Sequence, residues 1–145
     1  MSQDRPELLL DNQLCFLFHR ITRDLTAAYR PLLTDLGLTY PQYLVMLVLW
    51  EQDGRTVGDL GRDLCLDSGT LSPLIRRLVS AGLVDKTRNP RDERQVTVHL
   101  TPAGRELRER ARAVPEQVAA RLVDSPAEYF ALHDQLTRIA ERLEA

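Results

Sequence analysis

Apolar residues at Leu14, Phe18, Ile21, Leu25, Ala28 and Leu32 recur every three or four places, the stripe of one helix over Leu14 to Leu33. Pro31 falls in its last turn, where the missing N–H predicts a bend or a break. Thr39 offers a capping hydroxyl and Pro41 suits a first turn, ahead of the apolar run Tyr43-Leu-Val-Met-Leu-Val-Leu-Trp50. A helix apolar nearly all round predicts a core element, with Met46 and Trp50 as packing residues. Thr56 caps a short helix through Leu64, and Asp67 or Ser68 caps another through about Ala81, ended by Gly82. The period then changes to two: Val96, Val98 and Leu100 alternate with polar residues, after Leu83 to Arg88 and the turn-rich Asn89-Pro-Arg-Asp-Glu93. This reads as a β-hairpin with a charged tip. Thr101-Pro102 and Ser125-Pro126 open two further helices, the last reaching Leu143, and Pro115 predicts a kink or a split between them.

Two short helices on a tight connection, followed by a hairpin, predict a winged helix-turn-helix. The fold class is mainly α with a small β-hairpin wing. Residues 1–145 read as one domain, with residues 40–100 as the DNA-binding region and residues 8–36 and 102–145 as dimerisation helices. With 43% hydrophobic and 28% charged residues the chain has the balance of a folded globular protein. It has no apolar run of eighteen residues, and MSQDRPELLL lacks a targeting pattern, so no membrane partner and a cytoplasmic location are expected.

The net charge of -2 announces no nucleic-acid partner, but its distribution changes the picture. From Ser68 to Arg94 six basic residues (Arg76, Arg77, Lys86, Arg88, Arg91, Arg94) face three acidic ones (Asp85, Asp92, Glu93). In the second helix of the pair, Leu71, Leu74, Ile75 and Leu78 keep one stripe for the core. Ser68, Thr70 and Ser72 then lie at the end that meets base edges and phosphates, and Arg76 and Arg77 point outward. Arg88, Arg91 and Arg94 at the hairpin tip suit a narrow minor groove, with Asp92 placed to hold an arginine in a fixed pose. The competing reading of each arginine is an ordinary solvated surface. One such module makes few contacts, so the partner is a double-stranded, pseudo-palindromic operator bound by a homodimer.

Cys15 and Cys65 make neither a disulfide framework nor a zinc-type pair, and His99 and His133 have no ligand set beside them; no metal and no cofactor are expected. Cys15 lies among Leu14, Phe16, Leu17 and Phe18, where a thiol is either a small packed hydrophobe or a reactive group. If Asp11 or Asn12 caps the first helix, Cys15 sits in the first turn, whose free N–H groups favour a thiolate. His19 follows one turn later on the same face, as a tuning group or a plain interface histidine. Cys65 reads as a packed structural residue, with a secondary redox role left open.

The succession Asn12-Gln-Leu-Cys-Phe16, Ala28-Tyr-Arg-Pro-Leu-Leu33, Leu38-Thr-Tyr-Pro-Gln-Tyr-Leu44, Leu66-Asp-Ser-Gly-Thr-Leu71 and Asp92-Glu-Arg94 resembles the MarR family of winged-helix repressors, and within it the organic hydroperoxide sensors, OhrR. The likeness runs from about Asn12 to Thr101. It implies a homodimeric repressor, not an enzyme, released when Cys15 is oxidised, with Tyr29 and Tyr40 as hydrogen-bond partners of the sulfur across the dimer interface. It also implies a sensor pocket near Phe16 and His19, with organic hydroperoxides as effectors. The family's two-cysteine members place a resolving cysteine in the C-terminal helices, and from Thr101 to Ala145 there is none. The one-cysteine scheme follows, in which the sulfenic acid is captured by a small-molecule thiol as second partner or becomes over-oxidised before strong release. Two other readings stay open: a MarR-type repressor released by a small aromatic ligand, and a cysteine peroxidase, for which the winged segment would have no task.

Overall fold

The computed structural model describes residues 5–145; Met1–Asp4, part of the stretch searched for targeting signals, lie outside them. The elements run α1 Leu14–Thr34, α2 Tyr40–Glu51, β1 Arg55–Thr56, α3 Val57–Leu64, α4 Ser68–Ser80, β2 Val84–Asn89, β3 Asp92–Leu100, α5 Pro102–Ala111, α6 Ala113–Leu122 and α7 Pro126–Glu144. Short 3-10 turns over Pro6–Leu8 and Leu10–Asn12 precede them. The chain divides into two compact units, Met1–Arg108 and Glu109–Ala145.

In the first unit, α2 supplies Tyr43, Val45, Met46 and Leu49 to the core, as its all-round apolar pattern requires. Around it lie Leu60 of α3, Leu71, Leu74, Ile75 and Leu78 of α4, and Val84, Val98 and Leu100 of the sheet, all buried. Trp50 Nε1 donates to the Gly104 carbonyl at 2.9 Å, so the indole packs with its one polar atom satisfied. Thr39 and Thr56 cap α2 and α3 through full capping boxes with Gln42 and Asp59.

Two sequence expectations are corrected here and one is extended. Pro31 does not break α1, which runs on to Thr34. The expected hairpin is present as β2 and β3, and a third strand joins it: β1 pairs antiparallel with β3, Arg55 opposite Val98 and Thr56 opposite Thr97, giving the order β1-β3-β2. A two-residue strand carries no periodicity for a pattern to reveal. Cys65 is not packed but exposed, in the left-handed conformation (φ 55°) that ends α3, a position usually given to glycine.

The fifth helix does split, at Arg112 rather than at Pro115 itself, because the proline ring excludes the carbonyl four residues back, that of Ala111. In the second unit Ser125 caps α7 by accepting the Glu128 N–H. None of the residues of α7 is buried, and Tyr129, Phe130, Leu132, Leu136 and Leu143 are exposed. Between α6 and α7 lies a groove of about 660 Å³ lined by Pro115, Val123, Pro126, Tyr129 and Phe130 among others. Among the described residues no helix is long and apolar enough to cross a membrane.

Candidate nucleic-acid interface and thiol site

The helix α4 begins at an acid. Asp67 is its N-cap, and its Oδ1 accepts the Thr70 N–H at 2.7 Å. Bonds from Thr70, the backbone N–H first, hold the Asp67 carboxyl below the usual carboxylate range. With Leu71, Leu74, Ile75 and Leu78 buried, Ser68, Thr70, Ser72, Arg76 and Arg77 are all exposed. One polar face therefore carries the hydroxyls of the first turn and two guanidinium groups farther along. Exposure alone also fits a solvated face.

The wing turns at Pro90 and Arg91 between β2 and β3. Asn89 fixes that turn: its Oδ1 accepts the Arg91 N–H at 2.9 Å and its Nδ2 donates to Gln95 Oε1 at 2.9 Å. Asp92 departs from expectation, because its carboxylate accepts the backbone N–H of Arg94 at 3.1 Å instead of gripping a guanidinium. A short acidic side chain closes a local turn on the residue two places on more readily than it reaches outward. It shapes the backbone, and the exposed Arg91 and Arg94 side chains extend from a fixed turn. Arg88 Nη1 donates to the Glu93 carbonyl at 3.4 Å, bracing the hairpin.

Cys15 is the second residue of α1 and is exposed. The cap is neither Asp11 nor Asn12: the 3-10 turn over Leu10–Asn12 displaces the helix start, and Gln13 takes the N-cap position. Gln13 gives no side-chain cap; its amide instead donates to the carbonyls of Glu7 and Leu9. The first turn also holds no acidic residue. The N–H groups beside Cys15 thus meet neither a side-chain cap nor a carboxylate. His19 is exposed one turn on, and Phe16 is half-buried.

Tyr29 and Tyr40 come together, with ring centroids 4.8 Å apart, and Tyr43 joins them at 5.9 and 6.3 Å. Burial raises the Tyr40 phenol above its ordinary value, and burial followed by the neighbouring Tyr40 raises Tyr43, so both remain O–H donors at neutral pH. Within one chain Cys15 does not join this cluster. Fourteen residues of helix separate it from Tyr29, about 21 Å at 1.5 Å per residue.

Sequence reasoning missed Arg55. Its guanidinium lies 2.6 Å from Asp63 and 3.8 Å from Asp59, and donates to Gln52 at 3.4 Å. Pairing across a two-residue strand leaves no one-dimensional signal beyond the spacing of Asp59 and Asp63 on one helix face.

A family model described as transcriptional regulator SarA/Rot matches residues 27–111. The organic hydroperoxide resistance transcriptional regulator of Bacillus subtilis is 41% identical over 143 residues, 99% of this chain and 97% of that protein. Reduced AbfR bound to DNA superposes with a TM-score of 0.74 at 36% identity, covering 92% of this chain and 93% of that one. AbfR of Staphylococcus epidermidis matches at 34% identity and a TM-score of 0.73, over 94% and 95% of the two chains. AbfR is also known in an overoxidized form bound to DNA and in a disulfide form. A MarR-family transcriptional regulator from Rhodococcus sp. RHA1 matches with a TM-score of 0.81 at 26% identity, over 92% and 96% of the chains. The chain belongs to the MarR-like family of winged helix-turn-helix transcriptional regulators, DNA-binding proteins rather than enzymes.

Proposed function

We propose that the protein is a redox-responsive repressor, a homodimer on a pseudo-palindromic operator that lets go when an organic hydroperoxide oxidises Cys15. The observation that carries this reading is the position of Cys15, exposed in an uncapped first turn with no carboxylate beside it. Similarity to an organic hydroperoxide resistance regulator supports it over nearly the whole chain.

The dimer is assigned to α1 and to α6–α7. The α1 stripe leaves Leu14, Leu17 and Ile21 exposed, and α7 leaves Leu132, Leu136 and Leu143 exposed. A two-fold pairing in which α1 runs antiparallel to its copy brings the Cys15 end of one chain to the Tyr29 end of the other, twice over. The Tyr29 and Tyr40 hydroxyls then donate to the partner's thiolate. In the same assembly Ser68, Thr70, Ser72, Arg76 and Arg77 of α4 address the major groove, and Arg88, Arg91 and Arg94, on a turn shaped by Asp92, address phosphate and the minor groove.

The thiolate sulfur attacks the outer oxygen of ROOH; the S–O bond forms, the O–O bond breaks, and the alkoxide leaves with a proton as ROH. A small-molecule thiol then attacks the sulfenic sulfur, the oxygen departs as water, and a mixed disulfide remains. In this reading release comes from the mixed disulfide rather than from higher oxides, a choice supported by the overoxidized form of AbfR, which is bound to DNA. Its bulk cannot be held by the tyrosine hydroxyls, and the interface rearranges.

Binding of purified reduced protein to the DNA upstream of its own gene tests this, before and after one equivalent of cumene hydroperoxide with a small thiol. Wild type should release the DNA and Cys15→Ser should hold it. Release from both would favour an aromatic ligand site in the dimer crevice, and sustained turnover of peroxide would favour a peroxidase.

A further inference from the structure

We propose that Arg55 is a positioning residue for DNA reading: one guanidinium locks the wing to the helix-turn-helix at a fixed angle. The inference rests on the reading that the wing arginines touch DNA, and it names what aims them.

The hairpin is a long arm on a short base. From Thr97, where β1 pairs, to Arg91 in the turn is six residues, about 20 Å of extended chain. A rotation of about 10° at the base therefore moves the tip by about 3.5 Å, more than the whole length of a hydrogen bond. Val84, Val98 and Leu100 bury the base of the hairpin in the core, and beside that packing the ladder from β3 to the helical part of the unit is β1, only Arg55–Thr56. Apolar side chains and two residues of ladder set the angle of so long an arm loosely.

Arg55 supplies the missing constraint. Its Nη2 lies 2.6 Å from Asp63 Oδ2 in the last turn of α3, and its Nε lies 3.8 Å from Asp59 Oδ2 in the first. Its Nη1 reaches Gln52 Oε1, at the C-cap of α2, at 3.4 Å. Asp59 and Asp63 are four apart on one helix face, where two carboxylates alone would repel. Asp59 is in addition the partner of the Thr56 capping box and of Arg62. The planar fork thus binds the end of α2, the strand β1 and both ends of α3 into one frame. The Arg55 side chain is only 21% exposed, so this pair is less open to solvent than the chain's outer ion pairs. Because α3 packs on α4, the same frame carries the reading helix.

The test begins with amide hydrogen exchange on the DNA-free, full-length protein. In Arg55→Gln the amides of β2 and β3 should exchange at least tenfold faster while those of α2 and α4 change less than twofold, with Arg55→Lys between. Unchanged hairpin exchange, or uniform acceleration along the whole chain, would overturn the proposal; if Arg55→Gln does not fold, Arg55→Lys is judged by the same two criteria. Operator binding by a wing variant (Arg88→Ala with Arg91→Ala and Arg94→Ala), by Arg55→Gln and by their combination completes it. The wing variant should weaken binding at least tenfold, and the combination should bind no worse than the wing variant alone, since a misaimed wing then has no arginine contact left to lose. If the wing variant and Arg55→Gln each weaken binding and the losses multiply, Arg55 does not act through the wing. If the wing variant binds as wild type, the wing-contact reading fails, and the exchange data still decide the position of the hairpin.

Discussion

Replacing Gly104 by alanine sets two effects of opposite sign against each other. Gly104 lies in the first turn of α5, where helix propensity favours alanine by up to about 1 kcal/mol. The surroundings forbid it. A Cβ there would stand 2.1 Å from the Leu83 carbonyl oxygen, 3.1 Å from its carbonyl carbon and 3.3 Å from Leu100 Cδ2. Ordinary contact begins near 3.5 Å, so the two backbones must part by more than about 1 Å. Neither can move without loss. The Leu83 oxygen accepts the Thr101 N–H at 3.0 Å, the Gly104 oxygen accepts Trp50 Nε1 at 2.9 Å, and the Thr101 hydroxyl accepts the Gly104 N–H at 3.1 Å. Overpacking costs about 1–3 kcal/mol, and two weakened hydrogen bonds add about 1 kcal/mol each. Against the propensity gain this leaves a net destabilisation of about 2–4 kcal/mol, a large share of a stability of about 5–15 kcal/mol. Urea unfolding followed by the fluorescence of Trp50, the single tryptophan, should show a lower midpoint at unchanged slope. A variant as stable as wild type, or more so, would refute the close-approach argument and leave propensity in charge.

Two further outcomes are expected. Asp67 has a folded pKa below its unfolded value, so its contribution is fully present above the unfolded carboxylate range near about 4 and is lost as pH falls through the lowered value. The thermal stability of wild type should therefore exceed that of Asp67→Ala at neutral pH, with the gap closing in acid; a gap constant down to pH 2 would show that the cap does not depend on charge. Leu136→Glu should yield a monomer by analytical ultracentrifugation and abolish operator binding. A leucine buried once on each side of a two-fold interface is worth about 3–6 kcal/mol in all, a factor of about 10² to 10⁴ in the dimer constant. An intact dimer would move the interface away from α7.

Most of the fold was legible because its elements carry strong local signals. The period of α4 and its acidic cap, the threonine caps before α2 and α3, and the alternation in β3 all appear where the residues demand them. What failed had no local signal or had a competing one. Pro31 predicts a bend or a break in the last turn, yet α1 runs unbroken to Thr34. α1 starts at Leu14 as expected, and only its cap differs: Asp11 and Asn12 form a turn of their own, to which the Asn12 amide donating to the Pro6 carbonyl at 2.7 Å belongs. Cys65 took the left-handed position because α3 ends there on Leu66 N–H bonding back to the Gly61 oxygen at 2.9 Å, a choice made by the helix end and not by the cysteine.

The proposed thiol site has residue types that the sequence offers and a geometry that it does not, for a reason built into α1. Cys15 and Tyr29 lie about 21 Å apart on one straight element, so no rearrangement that keeps the helix can join them within a chain. A sensor made of both must draw on two copies, and each thiol then sits in the surface that the copies share. Chemistry at such a sulfur is felt by the interface directly, without a relay through the core. In the proposed dimer each copy carries its own α4 and wing, so a change at that interface would alter the spacing of two reading heads on a duplex whose half-sites are fixed about one turn apart. A displacement of a few ångströms is then enough to lose register at one half-site. Arg55 has a different role in that proposed assembly: it keeps each head rigid, so that a change made at the interface would reach the DNA as a shift of the whole head.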